Sequence, residues 1–452
     1  MPDVTPRHDA YAAFRIPAYR RYMLSSVLVA IGTSAQTLAI GWEMYTRTDE
    51  PLALGLIGLV QAIPMLVLTL PAGYLADVFD RRRLMILSML LTSATSLGLA
   101  AFSYFEGSIA IMYLLLFLDS CALRLGWPAR AALLPQLVPP EVFENAVKWR
   151  TSLGQISGMV GPALGGFIIA WSIPAAYVLS AASTFAFIFV LMTIRIPPST
   201  RAARGRMFRQ VAEGVSFVWR KKVLLGAISL DMFGVLLGGA VFLLPVFARD
   251  IIDLSGTGFS PEQALGWLRA APAAGAMVMA LLLAYSPPFR RAGRTMLLAV
   301  AGFGAATIVF GFSQNLWLSM SMLFLTGVFD NISVVIRHTL VQLSTPNEMR
   351  GRVSAVNSMF ISSSNELGGF ESGTVAHFFG PVFSVVSGGV GTIVIVLAWA
   401  GLFPKLRRVG TLAESALEAA AGEATTPTAT PAAAVEPAAE PAADQATSRR
   451  RR

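Results

Sequence analysis

The sequence predicts an all-α membrane protein of twelve transmembrane helices. Of its 452 residues, 55% are hydrophobic and only 13% are charged, whereas soluble domains are about 25% charged. The apolar residues form repeated runs of roughly 20 residues, the length of a helix that crosses a bilayer. A soluble protein with a mean hydropathy of +0.62 would also expose too much apolar surface to water.

Twelve apolar runs are predicted to cross the membrane. Their approximate ranges are 22–45, 53–76, 84–104, 108–128, 146–171, 174–194, 223–248, 262–285, 295–313, 316–340, 353–376 and 381–403. Basic connections alternate along the chain with short connections that contain few Lys or Arg residues. Arg47 and Arg249 are the main basic residues of these short connections. Because arginine-rich loops stay in the cytoplasm, both termini are expected there, which requires an even number of helices.

The long basic connection divides the chain into two groups of six helices. The predicted parts are a cytoplasmic segment (1–21), a first bundle (22–194), a central cytoplasmic loop (195–222), a second bundle (223–404) and a disordered cytoplasmic tail (405–452). Apolar residues of the central loop recur at helical spacing, which predicts a helix on the membrane surface; they are Phe208, Val211, Val215 and Val218. The tail is rich in Ala, Pro, Glu and Thr and cannot bury a core.

Sequence pairs that recur at nearly constant offset indicate that the two halves are repeats. The pairs are Gln136 with Gln342, Arg81 with Arg290, and Asp119 with Asp330. Internal repeats are a common feature of membrane carriers. Two six-helix halves that begin on the same side of the membrane are expected to be pseudo-symmetric, parallel repeats.

Several classes of function are not expected from this composition. The basic residues that give the net charge of +9 lie mainly between the apolar runs. They are therefore interpreted as loop residues and not as a nucleic-acid-binding surface. The one cysteine, Cys121, is interpreted as a packing residue, and the scattered histidines have no metal-ligand spacing. No nucleophile–base pair suggests an enzyme, and no phosphate-binding loop suggests an ATP site. The polar N-terminal residues do not resemble a cleavable signal peptide.

Ionisable residues inside the apolar runs are the candidate functional residues. A charge at the bilayer centre costs ~2.5 kcal/mol or more, so such residues are expected to pair or to face a watery cavity. The candidates for a cavity or for proton coupling are Glu43 in helix 1, Asp119 and Arg124 in helix 4, Asp231 in helix 7, Asp330 and Arg337 in helix 10, and Glu366 and Glu371 in helix 11. Helices 1, 4, 7 and 10 each begin a three-helix unit, which predicts one shared central cavity.

Some candidates have a structural interpretation that stays open. Asp330 and Arg337 lie two turns apart on one helix face, where they can neutralise each other or brace the two halves. Glu43 lies near a helix end and can be interfacial, whereas Asp231 has no nearby partner in the sequence. Helix 11 is rich in Ser, Asn and Gly around Glu366, which suits close packing or a water path, and a carboxylate there can carry a proton.

The connection between helices 2 and 3 has a distinctive pattern. Gly73 and Asp77, four residues apart, precede a basic cluster of Arg81, Arg82 and Arg83. This resembles the signature loop of the major facilitator superfamily. Val78 replaces the arginine of that pattern and Asp80 replaces its second glycine, and the second half retains only the basic part, in Arg290, Arg291 and Arg294.

Helix 5 carries a second motif, composed of Gly154, Gly158, Gly161, Pro162, Gly165 and Gly166. It resembles the glycine–proline motif of proton-coupled exporters in that superfamily, with Ser157 in place of the usual first glycine. The motif suits close backbone approach and a kink, or alternatively ordinary small-residue packing. Further stretches are similar to the bacterial branch of enterobactin exporters and macrolide efflux pumps; they are 14–21, 126–139, 230–233, 243–248 and 350–357.

The resemblance implies a transporter of the bacterial inner membrane that works by alternating access. It implies proton-coupled export of an amphipathic small molecule, such as a drug or a siderophore, with the proton gradient as energy source and no cofactor. Asp77 and the nearby arginines would lock the cytoplasmic side, and helix 5 would seal the bundle interface. The expected partners are the substrate and the lipid bilayer, and the chain is expected to be a monomer. A lysophospholipid flippase or uptake carrier, and a non-transporting membrane sensor or scaffold, remain as alternatives.

Overall fold

The computed structural model describes residues 9–194 and 207–411, without the side chains of Leu70, Asp77, Asn347 and residues 207–211. Most of the predicted central loop and of the predicted tail therefore lies outside the described residues. Helices joined by turns and loops make up the described chain, which also has one isolated β-bridge, between Asp253 and Asn315. The all-α fold class is confirmed.

Twelve long helices make up most of the described chain. They are α1 (Pro17–Thr48), α2 (Pro51–Val78), α3 (Arg81–Tyr104), α4 (Ile109–Ala131), α5 (Pro140–Trp171), α6 (Ile173–Thr193), α7 (Lys222–Leu237), α8 (Pro261–Tyr285), α9 (Ala292–Phe312), α10 (Leu316–Leu343), α11 (Asn347–Phe379) and α12 (Pro381–Leu402). Short helical turns continue α7 as far as Ile251. A separate helix, Met207–Arg220, precedes α7 and is called the linker helix.

Eleven of these described helices are long and apolar enough to cross a membrane. The exception is α11, which spans 33 residues but carries the serines, asparagine and glutamates noted in the sequence. Its polarity, and not its length, sets it apart. Apart from the end of α7, the predicted runs agree with the helix bounds to within about six residues. Several helices begin with a proline in the first turn, where its missing N–H would have no partner in any case.

The first six helices form one bundle, and the last six repeat its packing. In the first bundle α1 packs on α5 and α6, α3 on α4 and α6, and α2 on α4. In the second bundle α7 packs on α11 and α12, α9 on α10 and α12, and α8 on α10. Each pair in one bundle thus has its counterpart six helices later, the arrangement expected of parallel repeats.

The two bundles meet through two helix pairs, α2 with α11 and α5 with α8. These pairs are also equivalent under the repeat. We call the end of the molecule that carries residue 9, the linker helix and residue 411 the terminal face, and the other end the opposite face. Helices α1 and α5 run towards the opposite face, and α2 and α8 run back from it.

The linker helix lies against the terminal end of α11. Glu213 accepts a hydrogen bond from Arg352 at 2.6 Å, and a Cβ atom built on Gly214 would lie 3.0 Å from the Arg352 carbonyl oxygen. Val218 is buried with Val353 of α11. The side chains of Phe208 and Val211 lie outside the described set, so the predicted amphipathic stripe is described only in its second part.

Candidate functional site

Polar contacts join the two bundles at the opposite face. They are the ion pairs of Asp49 with Arg249 (2.9 Å) and Glu50 with His377 (2.8 Å), and the hydrogen bond from Tyr45 to Asp250. The pairing of Glu50 with His377 is ionic only when the imidazole is protonated. Sequence reasoning missed these residues because each pair joins helix ends about 200 or more residues apart.

The contact between α5 and α8 is tightest near the opposite face. A Cβ atom built on Gly166 would lie 2.9 Å from the Cα atom of Gly266, which is too close for any side chain. The equivalent atom on Gly158 would lie 3.9 Å from Ala273, and on Gly154 it would meet nothing within 4 Å. The contact is therefore backbone to backbone at Gly166, looser at Gly158 and absent at Gly154.

Two further glycines of the helix 5 motif face a different neighbour. A Cβ atom on Gly161 would lie 2.6 Å from that of Ser34, and a Cβ atom on Gly165 would lie 3.0 Å from the Cα atom of Ala35. Both contacts are with α1, inside the first bundle. The motif therefore lies on two faces of α5. Gly161 and Gly165 pack against α1 of the same bundle, and Gly166 packs against α8 of the second bundle.

The pair of α2 and α11 is equally close near the opposite face. A Cβ atom on Gly55 would lie 3.1 Å from Gly373, and a Cβ atom on Gly58 would lie 2.5 Å from the carbonyl oxygen of Glu366. Both interface pairs thus hold the bundles together at this end. In the described residues, the bundles are in tight contact near the opposite face, and the contact of α5 with α8 loosens towards the terminal face.

A cavity of about 320 Å³ lies in the second bundle beside this interface. Every helix from α7 to α11 contributes to its wall. Its charged and polar lining residues are Asp231, Asp330, Arg337, Thr326 and Asn365, and its larger apolar residues are Val235, Val241, Phe242, Phe303, Val334 and Ile361. We call it the central cavity.

Arg337 forms an ion pair with Asp231 of α7. Both side chains are almost completely buried, Arg337 at 1% exposure and Asp231 at 5%. The Nε atom of Arg337 has no hydrogen-bond partner among the described residues, and Asp231 is the carboxylate in direct contact with the guanidinium. Asp330 lines the same cavity, but the partner of Arg337 comes from another helix.

Arg124 and Glu366 approach each other across the interface, with Nη2 and Oε1 3.8 Å apart. Arg269 of α8 also lies near Glu366 and donates a hydrogen bond to the carbonyl oxygen of Val241 at 3.1 Å. Arg269 was not among the sequence candidates. Its position inside an apolar run was the signal that would have identified it.

Three candidates lie within local networks away from the central cavity's lining. Asp119 accepts hydrogen bonds from Gln36 (3.2 Å) and Thr95 (3.1 Å) inside the first bundle. Glu43 accepts one from Tyr177 at 2.8 Å and pairs with Arg47 at 3.3 Å. Glu371 accepts a hydrogen bond from its neighbour Ser372 at 3.2 Å. Of the predicted cavity helices, α7 and α10 line the cavity, and α4 reaches the interface through Arg124.

The signature loop forms a tight connection from α2 to α3 at the terminal face. The Asp80 carboxylate accepts a hydrogen bond from the backbone N–H of Arg83 at 2.8 Å and so caps α3. Arg82 donates to the carbonyl oxygen of Met192, near the end of α6, at 2.7 Å. The Asp77 side chain is outside the described set, so its role as a lock stays a prediction.

Two matched six-helix bundles with ionisable residues at an interior cavity define a multi-pass membrane transporter of the major facilitator type. The chain belongs to the family of transmembrane secretion effectors, whose model matches residues 8–425. It is therefore a secondary transporter and not an enzyme, and the resemblance to the major facilitator superfamily is confirmed.

Known proteins agree with this assignment. The chain is similar to the enterobactin exporter EntS of Citrobacter koseri and of Escherichia coli, each 25% identical over 398 residues that cover 87% of this chain and 93% of the relative. A bacterial homologue of the human lysosomal transporter Spinster has the same fold, with a TM-score of 0.67, 13% identity and coverage of 90% and 98% of the two chains. The nucleoside transporter NupG gives a TM-score of 0.68, 13% identity and coverage of 85% and 99%.

The opposite-face contacts are expected to favour the closed opposite end only modestly. An exposed ion pair contributes about 0.2–1 kcal/mol, so Arg249→Ala should raise the population open at this face by up to about fivefold. The readout is maleimide labelling of a cysteine at Gly41, which lines a small cavity between the bundles, in a Cys121→Ser background. Lys148→Ala, which breaks an exposed pair within α5, is the control and should leave labelling unchanged. Equal labelling in Arg249→Ala and wild type would contradict a role of this ion pair in closing the opposite face.

Proposed function

We propose that this transporter exports an amphipathic small molecule across the bacterial inner membrane by proton-coupled alternating access. The observation that carries the proposal is the interface, closed at the opposite face and diverging on α5 and α8 towards the terminal face. A carrier that alternates between two such states needs two bundles that can rock about a central site. In the other state the same two helix pairs, α2 with α11 and α5 with α8, would approach each other at the terminal face.

Orientation follows from the basic residues of the terminal face. Arg20 and Arg21 lie in the first turns of α1, and Arg81, Arg82 and Arg83 form the first turn of α3. Arg220, Lys221 and Lys222 lie where the linker helix ends and α7 begins. Under the positive-inside rule this face is cytoplasmic, and so are both termini. The described conformation would then receive cargo from the cytoplasm, the first step of export.

Coupling requires a carboxylate that changes its protonation state during the cycle. Asp330 lines the central cavity and Glu366 lies at the bundle interface, so these two are the proposed proton carriers. The proton gradient is the energy source, and no cofactor is needed. The similarity to proteins named enterobactin exporters supports export over uptake.

The test is transport into inverted membrane vesicles, in which the cytoplasmic face is outside. An imposed proton gradient should drive accumulation of a fluorescent lipophilic dye, and a protonophore should abolish it. Dye accumulation that is unchanged by the protonophore would refute proton coupling. Accumulation only in right-side-out vesicles would favour an uptake carrier, and movement of labelled lysophospholipid alone would favour a flippase.

The signature loop provides a transport-specific variant for the same vesicles. Asp77→Asn or Arg82→Ala should reduce gradient-driven accumulation while membrane insertion stays normal, because the loop would stabilise closure of the cytoplasmic side. Arg291→Ala, at the equivalent connection of the second half, serves as the matched control and should have a smaller effect, since no aspartate precedes it. Wild-type flux in Asp77→Asn would refute the role of the loop as a lock.

A further inference from the structure

Asp330 is the one carboxylate of the central cavity's lining that lacks a direct partner in the described chain. The cavity contains two acidic residues and one arginine. Arg337 is engaged by Asp231, and Asp330 forms no hydrogen bond or direct ion pair with any described residue. With both carboxylates ionised, the lining therefore carries a net charge of one negative unit.

The remaining cations near the interface do not neutralise this charge. Arg124 and Arg269 lie around Glu366, and neither lines the central cavity. His338 follows Arg337 but is exposed and is not part of the lining. The electrostatic preference of the cavity is therefore for a positively charged group.

The apolar part of the lining suits the body of an organic cation. Phe242 and Phe303 line the same cavity as Asp330, and aromatic faces attract cations as well as apolar surface. A second, smaller space, lined by Phe303, Phe329 and Asp330, adjoins the carboxylate. A volume of about 320 Å³ lies at the lower end of the range for small-molecule sites, about 300–1,000 Å³.

We propose that the central cavity binds the cationic end of an amphipathic cargo, with Asp330 as the counter-charge and Phe242 and Phe303 as the aromatic wall. The cargo class is then a lipophilic amine or quaternary ammonium, not a polyanion. The inference rests on the proposed function, since it names the cargo of that same cavity. A proton and a cationic cargo would compete for Asp330, which is how one carboxylate can exchange the two.

The test compares two ions of nearly equal size and opposite charge, tetraphenylphosphonium and tetraphenylborate. Their binding to the purified protein is measured by equilibrium dialysis in detergent at neutral pH, without a proton gradient. We expect the cation to bind at least about tenfold more tightly than the anion, because a charge-assisted contact of this kind corresponds to roughly that factor. Similar or tighter binding of the anion would overturn the proposal.

Variants assign the effect to Asp330. Asp330→Asn should weaken binding of the cation about tenfold, and Asp330→Glu should retain most of it. Asp119→Asn makes the same charge change in the first bundle, where the side chain does not line the cavity, and should change binding by less than about twofold. Unchanged binding in Asp330→Asn, or an equal loss in Asp119→Asn, would refute the assignment.

This outcome is separable from that of the transport test. If neither ion binds, or if only the anion binds through Arg124 or Arg269, the cargo class is wrong. Gradient-driven dye transport in vesicles would still support proton-coupled export in that case. If the cation binds through Asp330 but no gradient drives transport, the cavity assignment stands and the coupling mechanism fails.

Discussion

Replacing Arg337 with methionine is expected to lower the free energy of unfolding by roughly 3–5 kcal/mol. The substitution retains most of the side-chain volume but leaves Asp231 as an unpaired buried charge. Both groups are at most 5% exposed, so water can compensate little of this loss. Asp330 lines the same cavity. The variant would therefore contain two carboxylates and no arginine there, which lowers its stability further.

The double variant Asp231→Asn with Arg337→Met should regain much of that stability. Removing both charges removes the desolvation cost, and buried ion pairs are often replaced by neutral residues with little loss. Thermal unfolding in detergent measures the cycle, with Arg291→Met, an exposed arginine at the terminal face, as the control. If the double variant is as unstable as Arg337→Met, the ion pair is not the main source of the effect.

Gly166→Leu and Gly154→Leu are expected to shift the conformational equilibrium in opposite directions. At Gly166 the nearest atoms are backbone atoms of α8, including the carbonyl oxygen of Glu262 at 2.7 Å from the built Cβ atom. They cannot rotate away, so the bundles must separate at the opposite face. Overpacking costs about 1–3 kcal/mol, which corresponds to a population shift of about 5- to 150-fold.

Gly154 has nothing within 4 Å in this conformation, so leucine there should be tolerated in it. It would obstruct the approach of α5 to α8 when the terminal face closes, and so hold the protein in the described state. Gly161→Leu is the control, because its clash is with Ser34 of the same bundle; it should lower thermal stability without favouring either face.

Cysteine accessibility at each face, measured for all three variants, separates these effects. Gly166→Leu should raise labelling at the opposite face, and Gly154→Leu should lower it while raising labelling at the terminal face. Both variants should transport poorly, since each favours one end state. Labelling changes of the same sign in both variants would contradict a rocking interface between α5 and α8.

The candidate site was only partly predictable, and Asp119 and Asp330 illustrate the reason. They are repeat-related in the sequence, yet Asp119 is hydrogen-bonded by Gln36 and Thr95 inside the first bundle, whereas Asp330 lines the cavity. The difference arises from neighbours on other helices, so no property of the two aspartates or their own helices reveals it. The partner of Arg337 illustrates the same limit, because Asp231 approaches it from about 100 residues away.

The sequence by itself determined the helices, the basic connections, the two-fold repeat and the glycine motif of α5. These features are local, since hydrophobic length and the position of proline, glycine and arginine set them along a single segment. Only the tertiary structure decided which glycines face the other bundle, which carboxylate lacks a partner, and which end of the interface is closed. Those outcomes depend on how helices distant in the chain rotate and pack against one another, and a contact of that kind involves two segments at once.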